Sequence, residues 1–423
     1  MKVLIQQARI IDPSSPHNGK IQDILVDSGI IKDIQSSISE KADQTIKVDG
    51  LHVSPGWTDV FANFADPGYE YKESLETGAA AAAAGGFTDV FVIPNTKPAI
   101  DTKSQVEYIF QKSKSLLVNI HPIGAISRSL EGKELAEMYD MYASGAIAFS
   151  DGLNPVQSSG ILLKALQYVK AFNGVIIQIP DDKSVGPNGQ MHEGVMSTRL
   201  GLPGKPMMAE ELLVARDIKL ARYTESKIHF TAVSSPKSLE YIRRAKDGGL
   251  QVTCSVTPFH LFFTDEDLLE YDSNLKVYPP LREKKDREEL KKAVLDGTID
   301  CIATHHLPHE KDSKMLEFEY AKFGMIGLET CYPVLKSVLP ELSEARWVEL
   351  LSINPRKIFG LSPVSVTKGA AGQLTMFMPE SSWKANEQSF HSKSKNTPFI
   401  GKEFTGKVVG ISHRDQVFLN NQN

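Results

Sequence analysis

Eight short apolar segments, four to seven residues each, recur between residues 57 and 304 with helical stretches between most of them. They are Trp57–Phe61, Thr88–Ile93, Asn119–Ala125, Ala146–Phe149, Gly174–Gln178, Lys227–Ala232, Gln251–Ser255 and Asp300–Thr304. Intervening segments such as Ser74–Ala84, Glu134–Tyr142, Ala209–Tyr223, Pro236–Lys246 and Asp286–Leu295 carry helical patterning. This alternation is the signature of βαβ units around a parallel sheet. Eight units in roughly 310 residues predict an α/β fold of the (β/α)8 TIM-barrel class over residues 55–364. A doubly wound open sheet is the competitor, but no glycine-rich phosphate loop follows the first strand.

Both ends read differently. Val3–Ile5, Ala8–Ile11, Ile24–Val26 and Gly29–Ile31 are strand-like, as are Leu374–Phe377, Gly406–Gly410 and Val417–Leu419. Neither end has enough apolar surface for its own core. Residues 1–54 and 365–423 are therefore expected to pair into one small β-sandwich domain.

Charge and composition exclude several classes. Lys and Arg number 47 against 52 Asp and Glu, a net of −5. No basic cluster suits nucleic acid or a membrane surface. No apolar run approaches the ~20 residues of a membrane span. The N-terminus turns polar too soon for a signal peptide. Cys254, Cys301 and Cys331 form no close pair, which points to a cytoplasmic setting. Cys254 and Cys301 lie on predicted strands and are expected as small core residues.

In a barrel of this kind chemistry collects where the strands end. The segments there carry a resemblance. "SPGWTDVFANFADPGYEYKESLETGAAAAAAGGFTDVFVIPNTKPAIDT", "GQMHEGVMSTRLGLPGKPMMAEE", "VTPFHL", "YPPLREKKD", "DGTIDCIATHHLPHEK", "FGMIGLET" and "SKSKNTPFIGKEFTGKV" resemble type I dihydroorotases of the cyclic amidohydrolase superfamily. Dihydropyrimidinases and allantoinases are more distant in pattern. The resemblance implies an amidohydrolase-type barrel with a small β-domain from both termini. It also implies zinc-dependent, reversible cyclisation of carbamoyl aspartate to dihydroorotate, with the metal polarising the amide and supplying hydroxide.

The chain departs from that family where the chemistry lies. The family opens its metal site with His-x-His; those positions are Phe61 and Asn63 here. A phenyl ring offers no lone pair, and a neutral amide oxygen is a poor zinc ligand. The arginine that the family uses for the substrate carboxylate is Ala65. The strand-five histidine is Gln178, the strand-six histidine is Ala232, and His305 replaces the catalytic aspartate in Ala303-Thr304-His305-His306-Leu307-Pro308-His309. Asp151 keeps the bridging acid. Of four substrate-contact positions, Asn95 and His309 match while Ala65 and Tyr278 do not.

A general acid/base is worth ~10²–10⁴-fold in rate. Losing it together with metal and carboxylate clamp predicts no catalytic residue, no zinc and no other cofactor. The barrel mouth is expected as packed core, with Gln178 and Asn63 hydrogen-bonded to each other. His192, His229 and His260 are expected as satisfied structural histidines. Three functions compete. The first is a non-catalytic subunit associated with aspartate transcarbamoylase, the partner that the resemblance implies. The second is a cyclic-amide hydrolase rebuilt around Asp151, His305 and His309. The third is a stand-alone structural homo-oligomer.

Overall fold

The computed structural model describes residues 1–420. Eight parallel strands follow one another in chain order around a barrel, from Trp57–Ala62 to Cys301–Ile302. Each lies on an expected segment. Their residues are buried on both faces, as a parallel sheet clad in helices requires. The barrel closes where Ala62 bridges His306 and the Asn63 amide donates to the His306 carbonyl at 2.8 Å.

The first helix, Leu75–Ala84, shows why its sequence is small-residue rich. Ser74 and Thr77 form a reciprocal capping box at its start. Its inner face lies so close to Phe64 that a Cβ on Gly78 would come within 2.6 Å of that ring. Five of its alanines, Ala79 and Ala81–Ala84, are buried where the helix packs on barrel strand Phe87–Val92 and on terminal-sheet strand Glu403–His413, so packing joins propensity in holding this helix.

The termini together form one continuously hydrogen-bonded sheet of eight strands. Within it, Leu374–Phe377 pairs antiparallel with His52–Pro55, which pairs in parallel with the end of Lys2–Ile10. Ile5, Ile10, Ile24, Val53, Leu374 and Met376 form its core. Beneath the barrel, Asp89 joins the two parts. Its carboxylate accepts from Arg356, from Asn119 at 3.0 Å, from His121 at 2.9 Å and from Gln373 of the terminal sheet.

No helix among the described residues is long and apolar enough to cross a membrane. Cys254, Cys301 and Cys331 are buried free thiols.

A second carboxylate fastens the barrel seam. Asp59 on the first strand accepts from the Thr304 amide at 2.7 Å and its hydroxyl at 2.6 Å. Burial pushes the Asp59 carboxyl from 3.8 up to about 7, against the lowering effect of those bonds. The folded state therefore binds the proton more tightly than the unfolded chain. Stability falls as pH rises from about 4 to about 7, by roughly 4 kcal/mol from this group. Asp59→Asn keeps the acceptor oxygen and should flatten that part of the stability curve, measured by urea unfolding at stepped pH. An unchanged slope would mean that Asp59 is ionised throughout.

Candidate functional site

The strand tips surround a cavity of about 550 Å³, a volume typical of small-molecule sites. The expectation of a packed mouth is thus corrected. Phe61 lies flat on His305, with ring centroids 4.4 Å apart and planes at 20°. Phe259, Tyr278 and Phe323 line the cavity as well, and space remains between these walls.

The candidate residues separate into two groups. Phe61, Asn63, Tyr278 and His305 line the cavity; Ala65, Asn95, Asp151, Gln178, Ala232 and His309 do not. Asp151 is turned towards the preceding loop. It accepts from the amides of Ile126 and Ser127, both at 2.9 Å, and from the Ser127 hydroxyl. Burial still pushes its carboxyl up to about 6. Gln178 and Asn63 do not meet. Ile177 and Ile179 point into the barrel, which sends Gln178 outwards, where its amide donates to Asp217 at 3.3 Å. Asn63 Oδ1 instead accepts from the Ala65 amide at 2.7 Å. Asn95 Oδ1 accepts from the Leu153 amide at 3.0 Å.

The three histidines near the last strand face different ways. His305 Nε2 meets the Thr231 hydroxyl at 2.7 Å. His306 Nε2 lies 3.4 Å from Glu73. His309 Nε2 donates to the Phe323 carbonyl at 2.9 Å, leaving Nδ1 buried without a partner. Asp151, His305 and His309 are therefore not brought together as one site. Three further histidines have the partners expected of them: His229 has Thr253 and Ser255, His260 has Thr257 and the Pro279 carbonyl, and His192 has Arg282.

The cavity also holds a buried charge pair that no sequence pattern marks. Lys205 and Asp181 form a buried ion pair at 2.9 Å. Lys205 Nζ also donates to the carbonyls of Val185 at 2.7 Å and Asp182 at 3.2 Å, so its three protons are used. Asp181 sits at a strand tip that was open to inspection. Lys205 reaches it from the two-residue strand Gly204–Lys205, 24 residues on, and no local pattern announces that contact. Burial and the nearby Asp181 carboxylate push the Tyr278 phenol up, so it stays protonated.

The backbone is left-handed at Ala65 (φ 57°), Ala232 (φ 55°) and His305 (φ 47°). Non-glycine residues rarely hold such angles unless surrounding structure enforces them, and they cluster at functional sites. All three are positions at which the side chain departs from the resembled family.

The donors present do not fit a zinc ion. Phe61 and Ala232 have nothing to give, Gln178 faces away, and Asn63 Oδ1 and the Asp151 carboxylate are already hydrogen-bonded. Among the described residues no three His, Cys, Asp or Glu side chains gather as a metal site.

Burial, then the neighbouring His260 and His229, lowers the His305 imidazole to about 3. It should remain neutral from about pH 5 to about 8, the range over which an ordinary histidine titrates. Imidazole ¹⁵N shifts that stay flat across that range are the expected result. A titration near 6.5 would show an open, solvated ring instead.

Residues 50–238 match the family described as dihydro-orotase-like. A dihydroorotase of Geobacter sp. (strain M21) is 39% identical over 421 residues, covering 99% of each chain. One from Acetivibrio thermocellus is 40% identical over 410 residues, covering 96% of each. Among solved structures, an L-hydantoinase (dihydropyrimidinase) from Arthrobacter aurescens superposes with a TM-score of 0.86 at 24% identity, covering 99% of this chain and 96% of that one. Dihydropyrimidinase from Brevibacillus agri gives 0.85 at 19% identity, covering 100% and 96%. These two likenesses concern the fold.

Proposed function

Since this chain belongs to the dihydroorotase-like family, we propose that it serves pyrimidine biosynthesis without catalysing the family reaction, as a structural or regulatory partner of aspartate transcarbamoylase. One observation carries the reading. The positions where the family places metal ligands hold Phe61, Asn63, Gln178 and Ala232, and the polar ones among them are committed to protein partners. Without a metal to polarise the amide, no group at the mouth supplies hydroxide at neutral pH. His305, held neutral by burial, replaces the family's carboxylate shuttle.

Zinc-supplemented protein should show no turnover of dihydroorotate or carbamoyl aspartate above buffer, and metal analysis should find no stoichiometric zinc. Mixed with the transcarbamoylase at micromolar concentration, it should co-elute in size-exclusion chromatography. Two separate peaks would remove the partner from the reading and leave a homo-oligomer of structural role. Turnover near that of a working dihydroorotase would overturn the non-catalytic reading.

The second reading is an active cyclic amidohydrolase. It is favoured by full-length relatives of 38–40% identity that carry the name dihydroorotase. The same assay decides between the two, because it predicts a metal-dependent rate.

A further inference from the structure

Behind His305, which lines the cavity at the barrel mouth, runs a buried hydrogen-bond chain whose proton positions can be worked out. His229 Nδ1 meets the Thr253 hydroxyl at 2.9 Å, and its Nε2 meets the Ser255 hydroxyl at 3.0 Å. Ser255 donates to Thr231 Oγ1 at 2.9 Å. Having spent its proton there, Ser255 accepts from His229 Nε2–H. Thr231, having accepted, donates its own proton to His305 Nε2 at 2.7 Å. A neutral imidazole has one donor and one acceptor nitrogen. His305 Nδ1 therefore carries hydrogen, and it has no protein acceptor among the described residues although His305 lines the cavity.

Asn63 offers a second donor. Its Oδ1 is taken by the Ala65 amide at 2.7 Å, which fixes the orientation of the carboxamide. Its Nδ2 hydrogens have no partner among the described residues, and Asn63 also lines the cavity. Two neutral donors thus stand beside a phenyl–imidazole stack, with the aromatic rings of Phe259 and Tyr278 elsewhere on the wall.

Charge selects further. Lys205 and Asp181 cancel each other, and Lys205 has no proton to spare. Lys183 is exposed at the rim. An anion in the cavity would lie against Phe61, Ile93, Leu153 and Val277 with no free buried cation among the described lining residues, and a desolvated, unpaired charge is costly.

We infer that this cavity binds a neutral, flat ring bearing carbonyl oxygens, which stacks among Phe61, Phe259 and Tyr278 and accepts hydrogen bonds from His305 Nδ1–H and Asn63 Nδ2–H. The inference rests on the metal-free reading of the mouth. It deepens that reading, because a non-catalytic family member with such a pocket can respond to a small molecule.

Matched pairs differing by one charge test it: benzamide against benzoate, and uracil against orotate, titrated into the full chain by ligand-observed NMR and calorimetry. The neutral member of each pair should bind at least about tenfold more tightly, the size of one unfavourable buried polar contact. Asn63→Ala, which deletes one donor, should weaken the neutral probes about three- to tenfold while the melting curve stays cooperative. The His305 Nδ1–H signal should move on addition of uracil or benzamide in the unaltered protein, a readout that does not depend on a variant folding. Equal or tighter binding of the anions, no binding of either neutral probe at low-millimolar concentration, or an unmoved Nδ1–H signal would each overturn the inference. Those failures leave the non-catalytic reading standing. Turnover of dihydroorotate would remove that reading whatever the probes do.

Discussion

Replacing Arg356 with methionine should cost the fold about 3–5 kcal/mol, the usual consequence of stranding one member of a buried ion pair. Arg356 and Asp89 are both almost fully buried, and their side chains meet beneath the barrel. Burial alone would raise the Asp89 carboxyl. The His121 bond, the Arg356 charge and the Asn119 bond outweigh it and hold the group well below the usual carboxylate range. The stability it contributes is thus complete above the unfolded value, about pH 4, and is lost as pH falls below it. Arg356→Met removes the main charge partner and should both lower the urea midpoint at neutral pH and flatten the acid limb. Adding Asp89→Asn to it should recover part of the loss, because the stranded charge is then gone. A midpoint within experimental error of the parent would show that His121, Asn119 and Gln373 suffice to hold the carboxylate.

The second large effect is a gain. The double variant Phe61→His, Asn63→His should bind zinc at least about tenfold more tightly than the parent. Phe61 is stacked on His305 at 4.4 Å, and position 63 lines the same cavity. Two new imidazoles would therefore share the cavity wall with His305, and three imidazoles with an open position are a known zinc-binding set. His305 is already neutral and need only move its proton from Nδ1 to Nε2, so a rise of affinity with pH would come from deprotonation of the two new imidazoles. Zinc at about a hundred times Kd should raise stability by about 2.7 kcal/mol, read as a zinc-dependent rise in Tm that EDTA reverses. No such rise would mean that the cavity walls no longer converge as a metal site must.

The sequence made the barrel legible because its strands are buried on both faces and stand out as short apolar runs between amphipathic helices. The chemistry was legible only in part. Phe61 and His305 were placed correctly at the mouth because their neighbours keep the strand register. Gln178 was placed in the wrong direction, although Ile177 and Ile179 beside it already imply an outward side chain by two-residue alternation. Side-chain volumes alone are compatible with a packed mouth; ring orientation leaves it open. Phe61 covers His305 face to face instead of filling the centre, a difference of ring orientation that residue type and spacing do not encode. Lys205 with Asp181 depends on how one loop folds back, which no local pattern encodes.

The pairing of Leu374–Phe377 with His52–Pro55 ties together stretches separated by more than three hundred residues. On the ribosome, the early strand emerges long before its neighbour is translated, and its open edge must wait while the whole barrel is synthesised. Unsatisfied strand edges invite pairing with other chains. Nascent chains stalled before residue 374 should therefore be the ones that chaperones retain, and full solubility should appear only once the last strands have been released.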